Sequence, residues 1–120
     1  MRETESTNPA RIELIRFLKK QSREKNVGIW LDIAENLAKP KTLRAAVNLS
    51  KISRNSQKRD VIIVPGKVLG TGNLSHPLTI AAFDLSAKAE QKLKGAKAKY
   101  LSIPELVEKN PTGANVKIIR

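Results

Sequence analysis

The residues best suited to chemistry lie in one stretch, PGKVLGTGNLSH, which holds three glycines, one lysine and the only histidine of the chain. Gly66, Gly70 and Gly72 let main-chain N–H groups approach a phosphate closely, because no Cβ stands in the way. Lys67 adds a positive charge beside them. The alternative is that the glycines only satisfy turn geometry between two strands, and the pattern alone favours neither interpretation.

The spacing of these glycines does not match the two common nucleotide-binding loops. A Walker A loop requires G-x-x-x-x-G-K-[ST], but here the lysine follows the first glycine and Thr71 occupies the second glycine position. The dinucleotide fingerprint G-x-G-x-x-G also fails, because Ser75 stands where the third glycine is expected. We therefore do not predict a site for a small nucleotide.

No arrangement of side chains predicts catalysis. His76 is the only plausible base for the serines, and none of them lies in a G-x-S-x-G motif. The eleven acidic residues are scattered, and the chain contains no cysteine. No H-E-x-x-H motif or other ligand cluster for a metal is present. The sequence thus predicts a protein that is not an enzyme and has no cofactor or metal, with His76 as a loop residue.

The net charge of the chain is +12, from 23 basic and 11 acidic residues. Such a charge opposes compaction by self-repulsion, and a polyanion is the natural partner that relieves it. Nucleic acid is the predicted partner. A membrane surface is the alternative, but no segment approaches the ~18 consecutive apolar residues of a spanning helix. Because cysteine and a signal-peptide pattern are both lacking, we expect a cytoplasmic protein.

Positive charge is densest from Lys39 to Arg59, a segment with seven basic and no acidic residues. A solvated surface usually mixes both signs, so a block of one sign suggests that a polyanion binds there. We predict that nucleic acid contacts the basic residues of this segment, two polar residues within it and the glycine stretch. The predicted contact residues are Lys39, Lys41, Arg44, Asn48, Ser50, Lys51, Arg54, Lys58, Arg59, Gly66, Lys67, Gly70 and Gly72.

Two helices are predicted ahead of this segment. Asn8 suits a helix cap and Pro9 the first helical position, and apolar residues continue the pattern to about Lys25. A second helix is predicted at about Ile29–Ala38, where the apolar residues recur with helical spacing. That spacing places Trp30 in the core.

Alternating strands and helices are predicted for the rest of the chain. A short strand near Ala46–Leu49 is followed by a turn or a short helical piece through Ile52. Val61–Val64 and Leu78–Phe83 are apolar without alternation, which is typical of strands buried on both faces. The first of these strands is predicted to end in a turn at Pro65-Gly66.

A third helix is predicted to begin after the cap Ser86 and to stop at Gly95, with Lys88 and Lys92 on its outer face. The sequence SIPE at Ser102–Glu105 predicts a capping box and another short helix, with short strands before and after it. The expected fold class is α/β in one domain over residues 1–120. Helices occupy 1–40, the basic segment 41–59 and a mixed strand and helix core 60–120.

Six stretches of this chain resemble the L eighteen e family of large-ribosomal-subunit proteins, which occurs in archaea and eukaryotes. The resemblance covers essentially the whole chain in order, and the short length is similar to that of the archaeal form. The PGKVLG and VNLSKI pieces are the most specific. The matching stretches are TNP at 7–9, IW at 29–30 with IA at 33–34, VNLSKI at 47–52, VPGKVLG at 64–70, LSHP at 74–77 and NPTG at 110–113.

The resemblance implies a structural component of the large ribosomal subunit, bound to its rRNA and close to other ribosomal proteins, with no membrane partner and no small-molecule substrate. It also implies that the chain from about Asp60 shares the fold of the bacterial large-subunit protein fifteen. That fold is an irregular superhelix of strand–strand–helix units, preceded here by helices. Two alternatives stay open: a free nucleic-acid-binding module, such as a chromatin protein or an RNA chaperone, and an enzyme with the glycine stretch as its site.

Overall fold

The computed structural model describes residues 9–40 and 45–120 and has an α/β fold, as predicted, with helices first and then parallel strands alternating with helices. The predicted cap Asn8 lies outside the described residues. The elements are α1 (Pro9–Lys25), α2 (Gly28–Ala38), β1 (Ala45–Asn48), α3 (Leu49–Arg54), β2 (Val61–Leu69), β3 (Thr79–Leu85), α4 (Ala87–Gly95), β4 (Lys99–Ser102), α5 (Ile103–Lys109) and β5 (Val116–Ile118).

The sheet is built around β2, the longest of these strands. On one side β3 pairs with β2 and β4 pairs with β3. On the other side two short strands share the edge of β2, since β5 pairs with Val61–Ile63 and β1 with Gly66–Leu69. Every one of these pairings is parallel, so β2, β3 and β4 all begin at the same edge of the sheet.

Pro65 and Gly66 lie within β2, and the prediction of a turn there was wrong. The pairing with β3 shifts register between Val64 and Lys67, which marks a bulge that holds the extra residue. Proline has no N–H to donate to a neighbouring strand. It lies where the strand beside β2 changes from β5 to β1, so its missing donor falls between two ladders.

Both faces of the sheet are covered by helices, as the apolar run without alternation predicts. Ile62 and Val64 pack into one core cluster with residues of α3 and α4. Ile63, between them, packs into a second cluster with α1, α2 and α5. All three are fully buried, and burial of an apolar side chain of this size contributes about 1.5–3 kcal/mol.

Trp30 lies in the second cluster and is fully buried, which confirms its prediction as a core residue. Its Nε1–H donates a 2.8 Å hydrogen bond to the carbonyl oxygen of Pro111, in the turn before β5. Arg11 of α1 is also buried and donates to the carbonyl oxygen of Leu37 near the end of α2. These bonds attach the two N-terminal helices to each other and to the end of the chain.

Both predicted caps of the later helices are confirmed. The Ser86 side chain accepts the N–H of Ala89 at 3.1 Å at the start of α4. At the start of α5, the Ser102 side chain accepts the N–H of Glu105, and the Glu105 carboxylate accepts the N–H of Ser102 at 2.8 Å. These bonds satisfy N–H groups that the first turn of a helix leaves free.

Helix α4 ends in a Schellman motif in which lysine, and not glycine, has the left-handed conformation. Lys97 has a φ of 60°, and its N–H donates to the carbonyl oxygen of Lys94 at 3.1 Å. The N–H of Ala98 donates to Leu93 at 3.0 Å, which completes the motif. The helix ends at Gly95, as predicted, but the left-handed residue of the motif is Lys97 and not this glycine.

Candidate nucleic-acid interface

The glycine stretch is a return connection along the sheet rather than a tight turn. β2 ends at one edge of the sheet, and β3 begins at the opposite edge beside Val61. At ~3.3 Å per residue this separation is about 25 Å. The intervening residues 70–78 can span at most about 33–36 Å even when fully extended. The connection is therefore stretched over the sheet in place of the helix that usually joins parallel strands.

Lys92 of α4 holds the start of this connection. Its Nζ donates hydrogen bonds to the carbonyl oxygens of Gly70, at 2.8 Å, and Gly72, at 2.6 Å. The side chain is half-buried, so the prediction of Lys92 on the outer face was wrong. Helical spacing indicates which residues share a face of α4, but not that the connection lies against that face.

The glycines of the connection pack closely against two helices. A Cβ on Gly70 would lie 2.7 Å from Cβ of Lys88, and one on Gly72 would lie 2.5 Å from Cβ of Ser50. Gly72 also has a φ of +85°. Gly66 is buried within β2. Close packing within the protein thus explains Gly70 and Gly72, and the contact of all three glycines with nucleic acid stays a prediction.

His76 attaches the far part of the connection to α3. The Ser56 hydroxyl donates to the carbonyl oxygen of Ile52 at 2.6 Å and lies 2.9 Å from Nε2 of His76. Since the only hydroxyl proton of Ser56 is used, Nε2 must carry the proton between them. Nδ1 then accepts from the Ser75 hydroxyl at 3.1 Å, and Ser75 is 2.9 Å from the Ser53 hydroxyl. His76 therefore has a structural role in this chain of hydrogen bonds.

The predicted contact residues do not form one compact patch. Asn48 and Ser50 are half-buried near the carboxyl end of β2, where the Ser50 N–H donates to Thr71 at 3.2 Å. Lys58 and Arg59 precede the other end of β2, about 25 Å away by the rise of a strand. Lys41 and Arg44 lie outside the described residues. Six predicted cations are exposed: Lys39, Lys51, Arg54, Lys58, Arg59 and Lys67.

Lys67 is the one exposed residue of β2 and forms an ion pair with Asp84 of β3. The Nζ to Oδ2 distance is 3.9 Å, and both side chains are about half exposed. A pair of this kind contributes at most about 1 kcal/mol. Lys67 can therefore exchange Asp84 for a phosphate at little cost.

A second basic region is a depression of about 360 Å³ lined by Lys51, Lys117 and Arg120, together with Asn55 and two isoleucines. The Nζ of Lys51 donates to the carbonyl oxygen of Arg120 at 2.7 Å. Lys117 and Arg120 form ion pairs with carboxylates, at 2.9 Å with Asp60 and at 3.3 Å with Asp32. Two of its three cations are thus already paired.

The ion pair with Lys117 also affects the pKa of Asp60. Asp60 accepts hydrogen bonds from the Lys117 Nζ at 2.9 Å and from the Gln57 N–H at 2.7 Å. Both bonds favour the carboxylate, and they hold the pKa of Asp60 below its ordinary value. The carboxylate is thereby bound to Lys117 of β5.

A third basic region was missed by the sequence prediction. Lys97 and Lys99 lie beside Arg59 around a cleft of about 230 Å³. Only Arg59 belongs to the basic segment 39–59, and Lys97 lies 38 positions further along the chain. Lys99 begins β4 and pairs with Thr79, and Thr79 in turn pairs with Val61. A prediction that the three strands start side by side would therefore have placed Lys99 near Arg59.

Residues 9–40 and 45–120 contain neither of two other functional features. In that part of the chain no group of histidine, aspartate and glutamate side chains could hold a metal ion. Of the helices found there, none has the length and apolar character needed to cross a membrane.

The fold and the surface define a class of protein: a small basic α/β protein with exposed lysines and arginines around its sheet. Residues 2–120 match the family described as "Ribosomal protein 60S L18 and 50S L18e". The chain belongs to this family of large-ribosomal-subunit proteins, which confirms the resemblance found in the sequence.

Individual relatives are similar to this chain in sequence over almost their whole length. The chain is 44% identical over 119 residues to the large ribosomal subunit protein eL18 of Methanothermobacter thermautotrophicus, covering 99% of this chain and 98% of that protein. Identity is also 44% with the protein of the same name from Methanococcus maripaludis, covering 99% of both chains. With that of Methanoregula boonei it is 46%, covering 99% of this chain and 98% of the relative.

Proposed function

We propose that this protein is a non-catalytic structural constituent of the large ribosomal subunit that binds and stabilises large-subunit rRNA. It acts in the cytoplasm, within the ribosome and beside other ribosomal proteins, without a membrane partner or a small-molecule substrate. The family supports the ribosomal assignment. The observation that carries RNA binding is the exposure of the described cations of segment 39–59, a segment whose sequence contains no acid to neutralise them. These cations are Lys39, Lys51, Arg54, Lys58 and Arg59.

The proposed contacts are mainly to phosphate and sugar. The exposed lysines and arginines of segment 39–59 neutralise phosphates, with Lys41 and Arg44 included from the sequence. Asn48 and Ser50 supply hydrogen bonds to phosphate or sugar oxygens, and Lys67 with the main chain near the glycines makes a closer contact. Paired RNA is recognised mostly by shape, 2′-OH groups and phosphates. Little base specificity is therefore expected.

The salt dependence of binding tests the proposal. Each neutralised phosphate releases counterions, so a footprint of ~6–10 phosphates lowers affinity by ~10³–10⁵ between ~50 and ~200 mM salt. The measurement is a titration of the purified chain with in vitro transcribed archaeal large-subunit rRNA at several salt concentrations. A flat salt dependence would contradict the proposal.

A pair of charge reversals separates specific contacts from net charge. Arg54→Glu and Lys109→Glu each change an exposed cation in the last turn of a short helix, so their effects on net charge and helix dipole are matched. Arg54→Glu is expected to reduce the salt slope by about 1 or more, and Lys109→Glu to reduce it less. The Tm of Arg54→Glu should stay close to that of the unmodified chain, because Arg54 is exposed. Equal slopes for the two variants would remove Arg54 from the interface.

A further inference from the structure

We infer that the edge of the sheet where β2, β3 and β4 begin carries a binding site for the phosphates of rRNA in which Lys97 and Lys99 join Arg59. The inference rests on the proposed function and adds a site to it. It includes two residues that lie outside segment 39–59 and outside the glycine stretch.

Parallel pairing brings these three residues together. The N–H of Arg59 donates to the carbonyl oxygen of Pro77 at 3.0 Å, and the N–H of Lys99 donates to that of Leu78 at 2.9 Å. Arg59 and Lys99 thus flank the start of β3 from its two sides. Lys97 follows α4 and leads into β4, so all three cations lie at one edge of the sheet.

Among the described residues, those that line the cleft carry positive charge only. It is lined by Arg59, Lys97 and Lys99 with Pro77, Leu78 and Thr79. Within residues 9–40 and 45–120, no carboxylate forms an ion pair with any of these three cations. The nearest acid in the sequence, Asp60, is bonded to Lys117. This region therefore differs from the depression at Lys51, where carboxylates already neutralise two of the three cations.

Two of the three cations have a backbone conformation that suits glycine better. Arg59 has a φ of 72° and Lys97 a φ of 60°, in the left-handed region that ordinary residues rarely adopt. Lys97 occupies the Schellman position at which glycine is usual, while the nearby Gly95 is helical. Strained residues of this kind concentrate at functional sites. A need for positive charge at this edge, to bind phosphate, would explain why Arg59 and Lys97 occupy these strained backbone positions instead of glycine.

The chemistry of the cleft suits a ribose-phosphate backbone. The arginine guanidinium can bind two oxygens of one phosphate at once, and the two lysines act as compact charges toward neighbouring phosphates. Thr79 adds a hydroxyl at the rim of the cleft. None of the described residues that line the cleft is aromatic, so they offer no platform on which a base would stack. We therefore assign it to the backbone of the RNA rather than to its bases.

Two triple variants of the full chain test the site. One is Arg59→Gln/Lys97→Gln/Lys99→Gln. Its control is Lys20→Gln/Arg23→Gln/Lys109→Gln, which removes the same three charges from exposed positions on α1 and α5. Both are titrated with in vitro transcribed large-subunit rRNA at several salt concentrations. The first variant is expected to lower the salt slope by about 2–3, at ~0.7–0.9 per lost phosphate contact, and the control by less.

A single variant separates binding from folding. Lys97→Gly places glycine at the Schellman position, so it should leave Tm unchanged or raise it. It should also lower rRNA affinity, which a purely structural role of Lys97 does not predict.

Three outcomes would overturn the site. They are an unchanged slope in the cleft variant, an equal loss in its control, and unchanged affinity in Lys97→Gly. If the cleft binds an acidic surface of a neighbouring protein instead of RNA, the salt slope of the cleft variant will be unchanged. Failure of the proposed function looks different, because then the unmodified chain itself binds rRNA without a salt slope.

Discussion

At the scale of single residues, the connection between β2 and β3 depends on close contacts that the sequence did not indicate. Glycines beside a lysine are as typical of a phosphate site as of tight packing. The decisive partners of Gly70 and Gly72 are Ser50, Lys88 and Lys92, which lie about twenty residues away in the chain. Only the packing of α3 and α4 brings those partners to the glycines, and no local pattern contains that information.

Gly72→Ala is expected to destabilise the protein. The left-handed conformation costs an alanine about 1–2 kcal/mol, and a Cβ 2.5 Å from that of Ser50 adds about 1–3 kcal/mol of overpacking. The control is Gly95→Ala, since Gly95 is helical and has open space around its Cβ position. That change should stabilise the protein by up to about 1 kcal/mol. Chemical unfolding of both variants measures the difference, and equal stabilities would contradict the packing described for Gly72.

The hydrogen-bond chain through Ser56 assigns one tautomer to His76. Because Ser56 donates to Ile52, the neutral ring should carry its proton on Nε2 and accept at Nδ1. The ¹⁵N chemical shifts of the imidazole in labelled protein distinguish the two tautomers directly. Ser56→Ala removes the oxygen that receives the Nε2 proton, so the preference should weaken in that variant. A neutral ring protonated on Nδ1 in the unmodified chain would disprove this hydrogen-bond chain.

At the scale of elements, local signals predicted the helices and caps well and the strand boundaries less well. The capping box at Ser102 and the helix around Trp30 rest on neighbouring residues, and both are confirmed. The end of β2 depends on distant strands, because β5 and β1 pair along it on either side of Pro65. Proline and glycine together suit a turn and a bulge equally, so the sequence could not distinguish them.

Two carboxylates should make folding stability depend on pH: Asp60, just before β2, and Glu105, in the first turn of α5. The Ser102 main chain and side chain lower the pKa of Glu105, and Lys117 followed by the Gln57 N–H lowers that of Asp60. A lowered folded-state pKa stabilises the fold above the ordinary carboxyl pKa, and this contribution is lost as pH falls through the lowered value. We therefore expect the free energy of unfolding to decrease on acidification below about pH 5.

Two substitutions isolate these contributions. Asp60→Asn and Glu105→Gln should each flatten the decline of stability at acid pH, measured by urea unfolding across the acid range. Glu108→Gln serves as the control, because it lies in the same helix as Glu105 but outside the capping box. A decline as steep in Asp60→Asn and Glu105→Gln as in the unmodified chain would show that other groups cause the acid sensitivity.

At the scale of the whole molecule, the sheet separates two helical layers and places cations at both of its edges. The sequence predicted a polyanion partner from the net charge of +12, and its resemblance to the ribosomal family is confirmed. The sequence prediction, however, placed most of the RNA-binding charge in one continuous segment, 39–59. In the folded chain Lys99 joins Arg59 only because β4 and β2 both flank β3. RNA that contacts both edges would reach along the full length of β2.

Contacts at both edges predict how the protein behaves toward assembled ribosomes. A free nucleic-acid-binding module relies on non-specific attraction, with a Kd of about 10⁻⁴–10⁻⁶ M at physiological salt, and is released and redistributed as salt rises. A structural constituent is held by many contacts to one folded RNA. We therefore expect the chain, expressed in an archaeal host and washed with increasing salt, to co-sediment with the large subunit.

The variant Arg59→Gln/Lys97→Gln/Lys99→Gln should leave the subunit at lower salt than its matched control does. A chain that spreads over all nucleic-acid fractions after the wash would favour the free module and contradict the ribosomal assignment.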